Sequence, residues 1–292
     1  MYDQERTARC EVCFRRCELK EGQTGSCGAR GNRGGEIRPL FYGRASGLAL
    51  DPIEKKPLAR FHPGAMILSV GSLGCNLHCA FCQNHEISQA GQGGTFDVRT
   101  EALPPEELAA LAEKTRTRGN IGAAFTYNEP LVGYEYVRDA AKLIRGKGMV
   151  NVLVTNGCVS LKVLDEVSPY IDAMNIDLKG FTDRYYRETL RGDRAMVMDF
   201  IREAVKRCHV ELTTLVVPGE NDSEEEMKEL SGWIASLADV HGGKRGEDIP
   251  LHVSRFFPRY RMTDRRATDV EKVYALAEEA RKNLKYVYTG NC

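Results

Sequence analysis

Residues 66–84 have the sequence MILSVGSLGCNLHCAFCQN, and this stretch decides the fold. Its first residues, 66–70, form a largely apolar run that is typical of a buried β-strand. Three cysteines, Cys75, Cys79 and Cys82, follow within the length of one loop. Three thiolates bind three irons of a cubane iron–sulfur cluster and leave the fourth iron without a protein ligand. Clusters that only carry electrons usually have four cysteine ligands, whereas an open metal position is typical of a site that binds a substrate.

The alternative for this cysteine loop is a structural zinc site that one distant ligand would complete. A strand-like run leads directly into the loop, and this arrangement favours the iron–sulfur interpretation. His78 and His85 lie close to the cysteines in the sequence. Because the three thiols already complete the pattern, neither histidine is predicted as a ligand.

The length and charge of the chain limit the classes of protein to which it can belong. Its 292 residues suit one large barrel domain or two small ones. The 41 basic and 41 acidic residues give a formal net charge of zero, so the charge favours neither a nucleic-acid nor a membrane partner. No apolar run approaches the roughly 18 residues of a transmembrane helix. The N-terminal residues MYDQERTARC lack the apolar core of a secretion signal.

Ten cysteines are many for a chain of this length. An even number of cysteines is compatible with disulfides in a secreted protein. However, seven of the ten fall in two tight clusters, and clustered cysteines without a secretory context indicate metal ligands. We therefore predict a protein of a reducing, oxygen-poor cytoplasm.

Strand-like and helix-like segments alternate from about residue 64 onward. This alternation predicts βαβ units and a parallel sheet. Six such units predict an α/β fold, a whole or partial (β/α)6 TIM-like barrel whose active site lies at the carboxyl ends of the strands. The predicted strands are 66–72, 121–127, 149–155, 173–178, 210–217 and 251–255, with a last apolar run at 286–288. The predicted helices are 104–118, 133–147, 160–167, 196–207, 223–239 and 267–283.

Several of the predicted strands carry one polar face, although a parallel strand between two layers should be apolar on both faces. A repeated polar face on parallel strands predicts a ligand-filled interior, and exposed edge strands are the alternative explanation. The polar sets are Asn175, Asp177 and Lys179; Asn151 and Thr155; and His252 and Ser254.

Residues 1–63 differ in character and are predicted as a cysteine-rich metal-binding segment before a barrel of residues 64–292. A segment this poor in apolar residues would hardly fold without a metal. Its four soft ligands suit tetrahedral zinc or a second iron–sulfur cluster. Of these we favour structural zinc, and free thiols or disulfides are the remaining alternative. A hairpin formed by 37–42 and 47–50 is predicted to lead into the barrel. The four ligands are Cys10, Cys13, Cys17 and Cys27.

Further motifs occur in a fixed order along nearly the whole chain. They are DPIEKKPL at 51–58, FHPG at 61–64, FTYNEP at 125–130, TNG at 155–157, NIDLK at 175–179, VPGEND at 217–222, LH and FFP within 251–258, and YTGN at 288–291. Together with both cysteine groups, they resemble the radical S-adenosylmethionine (SAM) superfamily. Within it they resemble the radical enzyme of the AmmeMemoRadiSam system, which is related to pyruvate formate-lyase activating enzymes.

The resemblance implies a partial barrel that cleaves S-adenosylmethionine reductively at a [4Fe–4S] cluster. The reduced cluster passes one electron to the sulfonium, the C5′–S bond breaks, and methionine and a 5′-deoxyadenosyl radical form. The radical removes hydrogen from an unactivated C–H bond, while the barrel positions the cofactor and excludes water. Such an oxidoreductase needs an electron donor, and flavodoxin or ferredoxin is the expected partner.

The resemblance also implies roles for individual residues, with Cys75, Cys79 and Cys82 as the cluster ligands. The positions matched to S-adenosylmethionine are Phe81 beside the adenine, Asn128 and Glu129 at the methionine amino group, Asn156 as a polar contact, Asp177 and Lys179 at the methionyl carboxylate or ribose, and His252 near the cofactor. Many relatives carry Gly-Gly-Glu at the position of Asn128 and Glu129, so this sequence departs from the common pattern there.

A structural explanation exists for each of the charged candidates. Glu129 can serve as a carboxylate at a helix N-terminus, which is a common arrangement. Asp177 and Lys179 can form an ion pair at the surface, and His252 can be a core histidine with its hydrogen bonds satisfied.

Three cysteines lie outside the two clusters. Cys158 and Cys208 are predicted to be small buried hydrophobic residues. Cys292 is the last residue of the sequence. In the family the chain usually continues into another cysteine pair, which implies that this sequence ends before it.

Three hypotheses describe the activity: activation of a glycyl residue in a partner protein, radical C–H chemistry on a small molecule or peptide, and a non-catalytic metal-binding module. The clearest mark of glycyl-radical activating enzymes is a ferredoxin-like cysteine insertion after the cluster motif. It is missing here, and the extra cysteines precede the motif. The glycyl-radical activating role is therefore inferred from the family resemblance and not from the residues of the site. A binding module would not need a polar barrel interior, which favours an enzyme.

Overall fold

The computed structural model of the chain describes residues 7–91 and 98–292. Its centre is an eight-stranded sheet, made of β1 (Gly47–Pro52), β2 (Met66–Gly71), β3 (Asn120–Phe125), β4 (Val150–Thr155), β5 (Ala173–Asp177), β6 (His209–Val216), β7 (Leu251–Arg255) and β8 (Val287–Gly290). The strands lie side by side in chain order. β1 runs antiparallel to β2, and every later pair of neighbours is parallel.

Six helices connect the seven parallel strands. They are α1 (Pro105–Lys114), α2 (Tyr134–Gly146), α3 (Leu161–Val167), α4 (Arg194–Ala204), α5 (Glu224–Ala235) and α6 (Val270–Arg281). Shorter elements are a helical turn at His85–Ser88, a π-helix at Tyr185–Leu190, and 3₁₀ turns at Ile53–Lys55, Thr115–Arg118, Pro130–Gly133, Ser168–Tyr170, His241–Gly243 and Gly246–Asp248.

Local sequence explains where several helices begin. α1 starts with a proline at its first position, where no backbone donor is lost. The side chain of Asp193 accepts a hydrogen bond from the backbone N–H of Met196 and caps α4. Ser223 caps α5 in the same way, and three glutamates fill the first turn, where they interact favourably with the helix dipole.

The predicted α/β architecture is confirmed as a partial (β/α) barrel with a central parallel sheet. All six predicted strands and all six predicted helices are present, with ends that differ by a few residues. The last apolar run becomes the seventh parallel strand, β8, and β1 adds an antiparallel edge strand. Across residues 7–91 and 98–292, no helix is long and apolar enough to span a membrane.

Alternation along the strands separates two apolar layers. The outward side chains, such as Leu153 of β4 and Met174 of β5, pack in a large core with the helices. The inward side chains Val152 and Ala173 belong to a second cluster, which also contains Leu58 from the segment after β1. This segment therefore covers the inner face of the sheet near the amino ends of its strands.

The inner face becomes polar towards β6 and β7, as the sequence predicts for β5. Asn175 donates to the carbonyl oxygen of Pro57 at 2.8 Å and accepts from the hydroxyl of Thr213 at 2.9 Å. The prediction for Asn151 is wrong, because it points outward. Its amide donates to the carbonyl oxygens of Ala141 and Tyr170, which bind the adjacent helical segments to β4.

The N-terminal region consists of small antiparallel pairs: Ala8–Arg9 with Glu18–Leu19, Arg30–Arg33 with Glu36–Pro39, and Arg44–Ala45 with Glu101–Ala102. The predicted hairpin of 37–42 with 47–50 is wrong. Residues 36–39 pair with the strand before them, and 47–52 pair with β2 in the main sheet. Pairing with β2 gives residues 47–52 a run of six residue pairs, which is longer than the predicted hairpin could provide. The division into 1–63 and 64–292 stays a prediction.

Candidate active site

The cysteine loop leaves the carboxyl end of β2 and packs against the N-terminal region. The backbone N–H of Cys75 donates to the carbonyl oxygen of Cys27 at 3.1 Å. Gly74 has a φ of +91°, and a Cβ atom there would lie 2.5 Å from the same carbonyl oxygen. Only glycine permits both this backbone conformation and this close approach.

The thiols of the loop lie in a poorly solvated environment. Burial raises the pKa of Cys79 to about 12 and raises that of Cys75 well above its usual value. The backbone N–H of Leu77 lies 3.4 Å from the sulfur of Cys75, and the hydroxyl of Ser88 lies 3.2 Å from the sulfur of Cys82. Buried thiols of this kind become thiolates when metal cations neutralise them, so the loop fits a metal cluster.

Glu129 places a buried carboxylate beside the loop. It is 1% exposed, and it accepts from the backbone N–H of Leu131 at 2.9 Å, the hydroxyl of Thr155 at 2.7 Å and the backbone N–H of Asn156 at 2.7 Å. All three donors are neutral. Because burial outweighs them, the pKa of Glu129 is raised to about 7. Within the part of the chain that the structure describes, no cationic side chain pairs with this carboxylate.

Two asparagines join Glu129 to the cysteine loop. The side chain of Asn156 donates to the side-chain oxygen of Asn76 at 2.9 Å and lies 3.6 Å from the sulfur of Cys75. Asn76 is fully buried and donates to the carbonyl oxygen of Cys158 at 2.7 Å. The carboxylate and the first cysteine are therefore held in one rigid polar network.

Asp177 and Lys179 lie at and just beyond the end of β5. Lys179 Nζ donates to Asp177 Oδ2 at 2.7 Å, and the two side chains are 17% and 30% exposed. Burial alone would lower the pKa of Lys179, but Asp177 and the nearby Cys79 raise it. The structure therefore brings this ion pair into electrostatic contact with the second cysteine of the loop.

Two other predicted residues lie around the loop with their side chains engaged. Both ends of the Asn128 amide brace the start of the loop: it accepts from Ser72 N–H and donates to the carbonyl oxygen of Gly74, each at 3.0 Å. Phe81 is buried and packs edge-to-face on Phe256, with ring centroids 6.2 Å apart.

His252 lies on β7 within a different buried cluster. Its Nε2 is 2.7 Å from Oε2 of Glu211, and its ring stacks on Tyr288. In the register of the sheet His252 is opposite Thr213, which is opposite Asp177. It therefore occupies the same level of the sheet as the ion pair, two strands away.

The predictions for two of the outlying cysteines are confirmed. Cys158 and Cys208 are buried. Cys158 also lies between Asn76 and the backbone of Asp193, whose N–H is 3.4 Å from its sulfur. Its carbonyl and N–H groups both bind asparagines of the site network.

Sequence reasoning missed several residues that hold the site together. Asn76 and Ser88 contact the cysteine loop, Arg15 donates to the carbonyl oxygen of Asn76, and Asn221 donates to the carbonyl oxygen of Lys179. The signal for Asn76 is its position inside the cysteine motif. The signal for Asn221 is its place in the VPGEND motif.

Together these residues form a composite site at the carboxyl ends of β2 to β5. Three thiols lie on one loop, the buried Glu129 carboxylate lies near the first of them, and the half-buried Lys–Asp pair lies near the second. The donor set fits an iron–sulfur cluster, and the two charged groups are suited to an amino acid ligand.

Comparisons with known proteins agree with this chemistry. A family model for the radical SAM superfamily matches residues 69–231. Uncharacterized protein MJ0808 of Methanocaldococcus jannaschii is 36% identical over 285 residues, which are 97% of this chain and 81% of that protein. The pyruvate formate-lyase-activating enzyme of Listeria monocytogenes is 22% identical over 231 residues, which are 73% of this chain and 88% of that enzyme.

Among solved structures, Streptococcus suis SuiB bound to S-adenosylmethionine matches with a TM-score of 0.58 at 14% sequence identity. The match covers 78% of this chain and 52% of SuiB, so the chain spans about half the length of that protein. This similarity shows the fold alone. The narrower assignment to the AmmeMemoRadiSam system stays a prediction.

Proposed function

The chain belongs to the radical SAM superfamily, and from that premise we propose that it takes a hydrogen atom from a glycine residue of a partner protein. Members of the superfamily use a [4Fe–4S] cluster and S-adenosylmethionine. When bound, this pair supplies a carbon radical that removes hydrogen from C–H bonds. In this proposal, Cys75, Cys79 and Cys82 hold the cluster.

The buried Glu129 carboxylate is the observation that carries the cofactor-binding part of the proposal. Its Oε1 accepts from Leu131 and Thr155, whereas among residues 7–91 and 98–292 its Oε2 accepts only from Asn156. Oε2 therefore has room for one more donor. An ammonium group there would both donate that hydrogen bond and neutralise the buried charge. The amino group of S-adenosylmethionine has this chemistry, and Cys75 is close enough to Glu129 for their charges to interact.

The Asp177–Lys179 pair suits the remaining polar groups of the cofactor. Lys179 is a cation next to Cys79 and can bind the methionyl carboxylate. Asp177 can then accept from a ribose hydroxyl, so each residue exchanges its present partner for a group of the cofactor. Phe81 would lie beside the adenine, and Asn156 and His252 would provide polar contacts.

Asn128 has a different part in the proposal. Because its side-chain amide is used to brace Ser72 and Gly74, it would position the first cysteine, and only its backbone would face the cofactor. Burial of Glu129 and Cys79 would also help to keep water from the reacting groups.

The relationship to a pyruvate formate-lyase-activating enzyme supports a glycyl residue as the target. Radical C–H chemistry on a peptide or small molecule is the second candidate, and the lack of a cysteine insertion after Cys82 favours it. The two candidates differ in where the abstracted hydrogen comes from, and isotope labelling separates them.

The test uses anaerobically reconstituted, dithionite-reduced protein with S-adenosylmethionine and an extract of cells grown on α-deuterated glycine. We expect 5′-deoxyadenosine to be released, slowly even without extract, and to carry deuterium when the macromolecular fraction is added. Deuterium from the low-molecular-weight fraction alone would establish the second candidate. If no 5′-deoxyadenosine forms under any condition, the enzymatic proposal is wrong. Mass spectrometry of the nucleoside gives both readouts.

A further inference from the structure

The four N-terminal cysteines line one small cavity. Its walls include the sulfur-bearing residues and three apolar side chains, and Arg15 and Arg30 also border it. The cysteines are Cys10, Cys13, Cys17 and Cys27, and the apolar residues are Val12, Leu19 and Val132. Backbone N–H groups already donate to two of the sulfurs, those of Cys13 and Cys27. The four thiol groups therefore surround a cavity whose walls are partly apolar.

Arg30 is a second, independent feature of this cavity. It is 4% exposed, and its two terminal nitrogens bind Glu135 at 2.7 and 2.8 Å, with one of them also donating to the carbonyl oxygen of Val132 at 3.0 Å. Its Nε is a buried donor that has no partner among the described residues, 7–91 and 98–292. A buried donor of this kind normally has an acceptor. An anionic metal–sulfur group in the cavity would provide one and would also attract the guanidinium charge.

The position of the cavity favours a cluster over a single zinc ion. Zinc has no redox chemistry. A second cluster packed against the loop of Cys75, Cys79 and Cys82 would be able to exchange electrons with the cluster held there.

The N-terminal cavity is directly connected to the cysteine loop. Cys27 accepts the backbone hydrogen bond of Cys75, so covalent bonds and one hydrogen bond link a sulfur of the first set to a sulfur of the second. Arg15, next to the cavity, donates to the carbonyl oxygen of Asn76 at 2.9 Å. Ser26 Oγ lies 3.2 Å from Nε2 of His78. The loop and the N-terminal set are therefore one packed unit.

We infer that Cys10, Cys13, Cys17 and Cys27 hold a second [4Fe–4S] cluster, which passes electrons to the cluster of the cysteine loop. This inference replaces the zinc ion favoured from the sequence, and it rests on the proposed function for its electron acceptor. A donor of the flavodoxin or ferredoxin class gives one electron and reduces the N-terminal cluster from the 2+ to the 1+ state. That cluster returns to 2+ as the loop cluster is reduced from 2+ to 1+. No proton or bond is exchanged.

The first experiment tests the composition of the N-terminal site. The Cys75/Cys79/Cys82→Ala triple variant is reconstituted anaerobically with iron, sulfide and equimolar zinc. We expect about four irons and four sulfides per chain in this variant and twice as many in the wild type. One zinc and no iron in the variant would overturn the second cluster. Cys292→Ala is the control for an exposed thiol, and it should keep the full iron content.

This design separates the inference from the proposed function. If the triple variant binds a cluster but the wild type releases no 5′-deoxyadenosine, the second cluster stands and the proposed function fails. If the wild type releases the nucleoside but the triple variant binds only zinc, the reverse holds.

The second experiment tests the connection without altering the N-terminal cysteines. Wild-type protein fully reduced with a europium(II) chelate should give an EPR spectrum split by magnetic coupling between two reduced clusters. The triple variant should give an uncoupled signal from one cluster. A wild-type spectrum that is a simple sum of two uncoupled signals would contradict the short connection.

The third experiment tests the direction of electron transfer. In a Cys10/Cys13→Ala double variant, photoreduced flavodoxin should reduce the loop cluster at least tenfold more slowly than in the wild type. The rate with dithionite, a small reductant that does not need the relay, should stay unchanged. An unchanged rate with flavodoxin would remove the relay role. If the double variant does not fold, the coupled spectrum of the wild type still decides whether the two clusters are adjacent.

Discussion

Two buried glutamates of this fold have opposite environments. Burial raises the pKa of Glu129 to about 7, because its three donors are all neutral. Glu211 is also fully buried, but two histidines and the backbone N–H groups of Ala59 and Arg60 overcome the effect of burial and lower its pKa to about 2.

The difference in hydrogen-bond partners distinguishes a structural carboxylate from one that is available to a ligand. Each carboxylate oxygen of Glu211 has two hydrogen-bond partners, one of which is a backbone N–H of the segment after β1. Glu211 therefore binds this segment to β6. Glu129 is held just as rigidly, but its charge is left uncompensated next to the cysteine loop. Uncompensated charge in a rigid frame is a common property of binding sites. The contrast supports our proposal that Glu129 binds the ammonium group of the cofactor.

The largest effect should follow from removing the satisfied carboxylate. Glu211→Ala leaves two histidines and two backbone N–H groups without their acceptor in a buried position. We expect a loss of about 3–5 kcal/mol in the free energy of unfolding, measured by urea denaturation. Glu113→Ala, which removes an exposed ion pair with Lys147, is the control and should leave the free energy of unfolding nearly unchanged. Equal losses in the two variants would contradict the assignment.

Acid should reveal the same carboxylate in the unaltered protein. The folded-state pKa of Glu211 lies below its unfolded value, so its stabilisation is present above about pH 4.5 and is lost as the pH falls towards about 2. The shift corresponds to roughly 3 kcal/mol at about 1.4 kcal/mol per pH unit. Unfolding free energies of wild type and Glu211→Gln, measured from pH 5 to pH 2, should therefore converge at low pH. Parallel curves would assign acid sensitivity to other groups.

The partial barrel and its cysteine loop were predictable because they depend on local patterns. Alternating apolar segments predict strands and helices wherever they occur, and three clustered cysteines keep their spacing in any fold. Other roles depend on partners that are distant in the sequence, as for Glu211, Asn76 and Arg30. No local sequence pattern predicts such pairings. Asn151 shows the limit of periodicity, which groups residues on one face without saying which face is inside.

The unsatisfied glutamate should affect binding more than folding. Glu129→Gln keeps the shape of the side chain but removes the charge that an ammonium group requires. We expect the affinity of the reconstituted protein for S-adenosylmethionine to fall about ten- to a hundredfold, as for the loss of a charge-assisted hydrogen bond of about 1.5–3 kcal/mol. The free energy of unfolding at pH 8 should change little, because removal of the buried charge offsets the acceptor that one buried donor, such as the backbone N–H of Asn156, loses. Calorimetric titration measures the affinity.

The opposite result for Glu129→Gln would remove the contrast between the two glutamates. Unchanged affinity together with a large loss of stability would show that Glu129, like Glu211, is a structural carboxylate. The amino group of the cofactor would then have to bind elsewhere.

The smallest effect should come from Lys179 and Asp177, which resemble Glu211 in being paired and Glu129 in facing the cysteine loop. In the free protein each neutralises the other at 2.7 Å. Binding of the cofactor therefore exchanges one partner for another, and the net gain is smaller than at Glu129. We expect Lys179→Ala and Asp177→Ala each to weaken S-adenosylmethionine binding about five- to tenfold. Lys206→Ala, which breaks a surface pair with Glu203, is the matched control and should leave the affinity unchanged. If neither variant differs from that control, the Asp177–Lys179 pair only stabilises the fold, and the methionyl carboxylate must be bound by another group.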